Sequence, residues 1–91
     1  MKFLIVGLGN PGKEYLNTRH NIGFKALDFV STQTSAFFRS DRLGDIATYK
    51  FKGRTIFLLK PSTYMNLSGK AVSYWMKKEK ILIKNILIVT D

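Results

Sequence analysis

The chain has 91 residues, of which 45% are hydrophobic and none is cysteine. This length suits one small domain, and the lack of cysteine excludes disulfides, thiolate nucleophiles and cysteine zinc sites. Fifteen Lys and Arg against six Asp and Glu give a net charge of +9. Such a field attracts polyanions, so an anionic partner is favoured over a lysine-rich surface that is merely solvated. The bases group at Lys50, Lys52 and Arg54 and again at Lys77, Lys78, Lys80 and Lys84.

The front of the chain predicts a strand, a loop and a helix. Residues 2–7 are almost all apolar, which predicts a strand buried on both faces. Residues 9–18 contain Gly, Pro, Asn and Thr and predict a loop. A helix is predicted from about Arg19 to Thr32, capped by Asn17 or Thr18. Its buried face is expected to hold Ile22, Ala26, Phe29 and Val30.

The remainder predicts a hairpin, a second helix and a last strand. After a loop at 33–44, DIATYKF and RTIFLLK predict two strands joined at Lys52-Gly53. A loop at 61–66 precedes a helix from about Asn66 to Lys78, and NILIVTD then predicts a buried strand. The apolar stripe of the second helix is expected to hold Leu67, Ala71, Val72, Trp75 and Met76.

This alternation predicts the fold class and the domain organisation. Strands and helices alternate around one hairpin, which predicts an α/β domain with a mixed, mostly parallel sheet and flanking helices. The last strand ends at Asp91, and nothing after it covers or pairs it. Residues 1–91 are therefore expected to be the N-terminal part of a longer α/β domain, truncated after a central strand, and to be unstable or to associate when alone. No apolar run reaches the ~20 residues of a membrane span, so a soluble cytoplasmic protein is expected.

The stretch GLGNPG at 7–12 fits the G-x-G-x-x-G pattern of a dinucleotide-binding turn. That turn requires a helix that begins within the glycine motif and an acidic residue at the end of a second strand, about 20 residues on. Here the helical pattern starts only near Arg19, and Asp28, at the right distance, lies within the predicted helix. The glycines therefore favour a backbone turn that positions other groups, and dinucleotide binding is the less favoured interpretation.

His20 is the sole histidine, and histidine is the side chain whose unperturbed pKa lies near neutrality. Without a second histidine and with few carboxylates nearby, a metal site is not expected. At a helix start His20 could activate water as a general base, and a structural histidine bonded to the backbone explains it equally well.

Polar residues also follow the predicted strands: Asn10 follows the first, Tyr64 and Asn66 follow the strand that ends near Lys60, and Asp91 ends the last. Ligands of open α/β sheets bind outside the carboxyl ends of the strands. Turn or cap roles explain each residue alone, but their convergence with His20 favours a site.

Three stretches carry a family likeness: VGLGNPGKEYLNTRHNIGF at 6–24, KPSTYMNLSGKAV at 60–72 and ILIVTD at 86–91. With them the chain resembles the N-terminal half of a bacterial-type peptidyl-tRNA hydrolase, in the family's order and spacing. N-P-G-x-x-Y-x-x-T-R-H-N is highly specific, unlike a lone G-x-G-x-x-G. Thr90 departs from the His that often precedes the matching Asp, and the family's second half, with D-x-x-L-P and G-G-H-N-G, is not in the sequence.

The resemblance implies hydrolysis of the ester between peptide and tRNA, which returns tRNA to translation. Its implied partner is peptidyl-tRNA, without metal, cofactor or membrane, and the full-length protein is expected to be a monomer. The matched motifs make His20 the catalytic base and Asp91 the carboxylate that orients it. Asn10 and Asn66 would bind substrate and position the water or the carbonyl. Tyr15 and Met65 would line the peptide groove, with Tyr64 as a further substrate-binding residue.

The competing class is a non-catalytic RNA-binding paralogue, which would keep the scaffold and lose the base. The sequence retains His20, Asn10, Asn66 and Asp91, which favours the enzyme. Because the family's second half supplies further substrate contacts, the 91 residues alone are expected to hydrolyse peptidyl-tRNA poorly.

Overall fold

The computed structural model of the protein describes residues 1–9, 22–62 and 68–90. The described strands are β1 (Lys2–Gly7), β2 (Arg39–Asp41), β3 (Gly44–Phe51), β4 (Arg54–Pro61) and β5 (Ile86–Val89). The described helices are α1 (Ile22–Thr34), α2 (Ser68–Glu79) and a 3-10 helix over Ile83–Asn85 that leads into β5. Neither α1 nor α2 has the length and hydropathy that a membrane-spanning helix needs.

The strands form one sheet in the order β2-β3-β4-β1-β5. β1 lies between β4 and β5 and pairs in parallel with both. β2, β3 and β4 follow one another as an antiparallel meander. The predicted α/β fold with a mixed sheet is therefore confirmed, although the described strand pairs divide evenly between parallel and antiparallel instead of being mostly parallel.

The predicted hairpin joins β3 to β4 through Lys52 and Gly53. Both residues have positive φ, 50° and 79°, which is the signature of a type I′ turn. The turn places Phe51 directly opposite Arg54, so their side chains lie on the same face of the sheet.

A hydrophobic core forms on each face of the sheet, because successive strand side chains point to opposite sides. Leu4 and Val6 of β1 pack with Ala71 and Trp75 of α2 on one face. Phe3 and Ile5 pack towards Leu27 of α1 on the other. The double burial predicted for β1 is confirmed, and so is the inward position of Ala71 and Trp75 on α2.

The predicted buried face of α1 is confirmed at Val30, which packs against the core on that side of the sheet, but it is wrong at Ile22 and Phe29. Ile22 and Phe29 are 45% and 65% exposed, whereas Gly23 and Leu27 are buried. The cause is a backbone contact: a methyl group on Gly23 would lie 2.4 Å from both the amide nitrogen and the carbonyl oxygen of Leu8. Because only glycine allows this approach, the Gly23 side of the helix turns inward.

Two further predictions need correction. Residues 33–44 were expected to form a loop, yet α1 extends to Thr34 and Arg39–Asp41 pairs with β3 as a short strand. Its sequence, RSD, has no hydrophobic alternation, so antiparallel pairing alone defines it. β5 was expected to be buried, but Leu87 and Ile88 are 58% and 44% exposed, because β1 is its only neighbour among the described strands.

Candidate functional site

Every residue predicted for the site lies outside the described residues. Asn10, Tyr15 and His20 fall within 10–21; Tyr64, Met65 and Asn66 fall within 63–67; and Asp91 follows the last described residue. The predicted caps Asn17 and Thr18, and Leu67 of the α2 stripe, are outside them as well. The structure does describe both flanks of the first two stretches and the residue before Asp91, and these flanks define where the site-bearing segments begin and end.

Three of these flanks meet at the carboxyl edge, which is the edge of the sheet where β1, β4 and β5 end. The amide of Leu8, which leads towards Asn10, donates a hydrogen bond of 2.9 Å to the carbonyl of Val89, two residues before Asp91. Gly23, three residues after His20, packs on both: a methyl group there would lie 2.5 Å from the Val89 carbonyl oxygen and 2.4 Å from Leu8. The described flanks of the segments that carry Asn10, His20 and Asp91 are thus in backbone contact.

Gly7 tightens the same junction from the strand side. A methyl group on Gly7 would lie 2.4 Å from the carbonyl oxygen of Gly23 and 2.8 Å from the side chain of Leu27. The end of β1 and the first turn of α1 are therefore glycine-to-glycine neighbours. This explains why the motif needs Gly7 without any nucleotide, since the glycine admits the helix backbone.

The fourth segment, 63–67, is bounded at the same edge. Ser68 and Gly69, which open α2, line one groove together with Leu8 and Ile88. Pro61, which ends β4, is buried. The described residues on either side of 63–67 therefore lie at the carboxyl edge, with Ser68 and Gly69 beside Leu8 and Ile88.

The β2–β3 turn fixes the entrance to that stretch. The amide of Ser62 donates a 3.0 Å hydrogen bond to the carbonyl of Leu43, and the indole Nε1 of Trp75 donates one of 2.9 Å to the carbonyl of Arg42. Trp75 is only 1% exposed, so the indole is a buried link between α2 and the turn. Leu43 has a φ of 64°, a conformation unusual outside glycine that these two bonds help to hold.

Asp28, which lies at the distance expected of a ribose-binding carboxylate, has a structural role instead. It lies in α1, as predicted, and its carboxylate forms an ion pair with the ammonium of Lys60. The Lys60 ammonium also lies 4.3 Å from the ring centroid of Phe38, a cation–π distance. Asp28 therefore ties α1 to β4 and does not end a strand, where a ribose-binding carboxylate would be needed.

Across the described ranges, no group of three or more His, Cys, Asp or Glu side chains could hold a metal ion. The described part of the site is instead a backbone junction with a buried hydroxyl residue, Ser68, at its margin.

Comparison with known proteins identifies the family. The family model described as peptidyl-tRNA hydrolase matches residues 4–91. The chain belongs to the peptidyl-tRNA hydrolase family. It is 59% identical over 91 residues to the peptidyl-tRNA hydrolase of Phocaeicola vulgatus and 58% identical over the same length to that of Cytophaga hutchinsonii. All of the chain is covered, but only 49% and 48% of those relatives, so it spans about half of their length.

A solved peptidyl-tRNA hydrolase structure supports the same family fold. The enzyme from Acinetobacter baumannii superimposes with a TM-score of 0.88 at 40% sequence identity. The match covers 94% of this chain and 45% of the solved chain. The described sheet and helices are therefore the peptidyl-tRNA hydrolase arrangement for the part of the family domain that this chain spans.

Sequence reasoning missed two groups that support the site. The predicted helix assigns no role to Gly23, although a glycine inside a helical pattern is a known signal of close packing. The contact between Trp75 and the Arg42 carbonyl joins residues 33 positions apart and has no local signal. Both contacts lie beside the segments that carry the predicted site residues.

Proposed function

We propose that the protein carrying this chain hydrolyses the ester that joins a peptide to tRNA. The observation that carries the proposal is the junction of Leu8, Gly23 and Val89, which gathers the flanks of the Asn10, His20 and Asp91 segments. The names of the relatives describe an enzyme, and the four polar residues that the reaction needs are retained in the sequence.

In the proposed reaction, His20 accepts a proton from water as the water oxygen attacks the ester carbonyl carbon. The tetrahedral intermediate then collapses, the bond between the acyl carbon and the ribose oxygen breaks, and the imidazolium returns its proton to that oxygen. The products are a peptide carboxylic acid and a free tRNA hydroxyl. General base catalysis of this kind contributes ~10²–10⁴-fold to the rate.

Asp91 would accept a hydrogen bond from His20, hold the ring orientation and stabilise its cationic form. Asn10 and Asn66 would donate hydrogen bonds to the substrate carbonyl or hold the attacking water, where preorganised donors stabilise the developing oxyanion. Tyr15, Tyr64 and Met65 would line the path of the peptide. Such positioning would need no metal, because the base, the water and the amide donors would be held together.

The substrate implies where the protein works. Peptidyl-tRNA arises in translation, so we propose a cytoplasmic protein that acts as a monomer at its full length. The net charge of +9 on these 91 residues is suited to a substrate with a polyanionic phosphate backbone.

The test follows the oxygen atom of water. The intact protein is incubated with peptidyl-tRNA in water enriched in ¹⁸O, and the peptide and the tRNA are analysed by mass spectrometry. The proposal predicts tRNA release with one ¹⁸O in the peptide carboxylate and none in the tRNA, because water attacks the acyl carbon. Label in the tRNA would contradict attack of water on the acyl carbon. Binding of peptidyl-tRNA without release would contradict hydrolysis and favour the RNA-binding alternative.

A further inference from the structure

The strongest charge of the described structure lies away from the candidate site. β1, β4 and β5 begin at Lys2, Arg54 and Ile86, and these starts define the amino edge, opposite the carboxyl edge where the site-bearing segments meet. Each strand rises about 3.3 Å per residue, so the eight residues of β4 separate the two edges by roughly 25 Å. Most of the bases that the sequence predicts to attract a polyanion lie at the amino edge.

The position of these bases follows from the strand register and from one ion pair. Lys52 lies in the turn before β4, and Lys84 lies in the 3-10 helix before β5. α2 ends at the same edge, because Glu79 pairs with Lys2 at an N–O distance of 3.4 Å. The bases carried by the chain at this edge are Lys2, Lys50, Lys52, Arg54, Lys77, Lys80 and Lys84, whereas the Lys78 ammonium lies 4.7 Å from the ring centroid of Trp75. Glu79 is the one carboxylate beside them among the described residues.

Four side chains form a continuous part of this edge, which we call the hairpin surface: Phe51, Lys52, Arg54 and Lys84. All four are exposed, and Phe51 is 54% exposed despite being aromatic. Arg54 lies directly opposite Phe51 on the same face, and the Lys52 ammonium lies 5.3 Å from the Phe51 ring centroid. Among the described residues, no carboxylate pairs with Lys52, Arg54 or Lys84.

An apolar groove of about 500 Å³ connects the hairpin to the start of β5. Its lining includes the side chains of Phe3, Ile56 and Leu87, with Arg54 and Lys84 among the residues around it. Cations beside an apolar groove and an exposed aromatic ring match the chemistry of a nucleotide unit, whose phosphate is anionic and whose base is flat and apolar on its faces.

We propose that the hairpin surface is an RNA-binding surface separate from the candidate ester-hydrolysis site, and that it takes an unpaired RNA segment. Lys52, Arg54 and Lys84 neutralise phosphates, and Phe51 stacks on a base. A purely solvated surface would not need an aromatic ring among its cations, and stacking on such a ring is the usual way in which proteins hold unpaired bases. The distance between the edges means that this RNA segment is not the one that carries the ester.

The test measures binding of a fluorescent, unstructured RNA of about 12 nucleotides to the intact protein by anisotropy at several salt concentrations. Each lost phosphate contact reduces the slope of log K against log salt by about 0.7, which is about fivefold in affinity near ~0.1 M salt. Lys52→Gln with Arg54→Gln is therefore expected to weaken binding about 25-fold and to reduce the slope by about 1.4.

The matched control removes the same charge from the other edge. Lys25 and Lys70 are exposed residues of the first turns of α1 and α2, so Lys25→Gln with Lys70→Gln lowers the net charge equally at the carboxyl edge. This control is expected to keep the affinity within about twofold. Equal losses for the two pairs would overturn the proposal, because overall charge alone would then explain the binding.

The aromatic contribution is tested at Phe51. Phe51→Leu is expected to weaken RNA binding about fivefold or more, and Phe51→Tyr to retain it, because only the tyrosine keeps a ring for stacking. A leucine variant that binds as tightly as the wild type contradicts the stacking role. Binding to vesicles of anionic phospholipid with the same ranking of variants, and no binding to RNA, would assign the surface to a membrane and overturn the proposal.

Discussion

Gly23→Ala tests the junction on which the candidate site depends. The added methyl group would meet the backbone nitrogen and oxygen of Leu8 at 2.4 Å and the carbonyl oxygen of Val89 at 2.5 Å. These are backbone atoms of β5 and of the residue that follows β1, so the methyl group cannot be accommodated by rotation of a side chain. Either α1 moves away from the sheet or the ends of β1 and β5 separate.

The expected change in the free energy of unfolding of Gly23→Ala combines two opposing effects, helix propensity and overpacking. Alanine gains about 0.8–1 kcal/mol over glycine in a helix interior, which is an upper limit at Gly23 because it is the second residue of α1. Overpacking of a well-packed site costs about 1–3 kcal/mol, and a contact with three backbone atoms belongs at the upper end of that range. Gly23→Ala should therefore lower the free energy of unfolding by about 2 kcal/mol. It should also reduce ester hydrolysis by up to about 10²-fold, because a shift of about 1 Å misplaces the groups that flank the junction.

Gly69→Ala is the matched control. Gly69 also lies in a helix, near the start of α2, and a methyl group there would meet nothing within 4 Å. Its free energy of unfolding should rise by between zero and about 1 kcal/mol. The assay is equilibrium urea unfolding of the intact protein, with initial rates of tRNA release as the second readout. Equal stability and equal activity of the two alanine variants would refute the close-contact explanation.

Three other outcomes are expected. Asp91→Asn should slow hydrolysis less than loss of His20 does, because the amide keeps part of the shape that orients the ring. Steady-state rates of hydrolysis test this, and an equally complete loss of activity would show that Asp91 does more than orient His20. Trp75→Phe should lower the free energy of unfolding by about 2 kcal/mol in urea titrations, because the Arg42 carbonyl loses its indole donor and a buried volume empties; unchanged stability would contradict this. The affinity of the intact protein for tRNA should fall with salt, with a slope of about 0.7–0.9 per neutralised phosphate in binding titrations, whereas a flat dependence would limit the charge to surface solvation.

The sequence predicts those parts of the fold that depend on local pattern. The apolar run of β1, the Lys52-Gly53 turn and the Ala71–Trp75 stripe of α2 each have a short-range signal, and each is present in the structure. The incorrect prediction of buried Ile22 and Phe29 in α1 has a long-range cause. Gly23 is buried instead, through contact with Leu8 and Val89, which are distant in sequence. β2 likewise exists through its pairing with β3.

For the candidate site too, local motifs predict the residues, whereas their spatial arrangement depends on the fold. Its residues were predicted from motifs, because TRHN, GNPG and MNLSG carry a family pattern that composition alone does not. The meeting of their flanks needed the sheet order, in which β1 separates β4 from β5. The placement of Lys52, Arg54 and Lys84 at the opposite edge could not be predicted from charge, because a count of bases does not specify which end of a strand they occupy.

The rate of tRNA release by His20→Ala is the most direct test of the proposal that His20 is the general base of ester hydrolysis. Single-turnover hydrolysis of peptidyl-tRNA is compared between the intact wild-type protein and the variant, with thermal unfolding and tRNA affinity measured on both. We expect His20→Ala to hydrolyse peptidyl-tRNA about 10²–10⁴-fold more slowly, with the same unfolding temperature and the same tRNA affinity as the wild type. A folded His20→Ala protein that releases tRNA within a few-fold of the wild-type rate would contradict it.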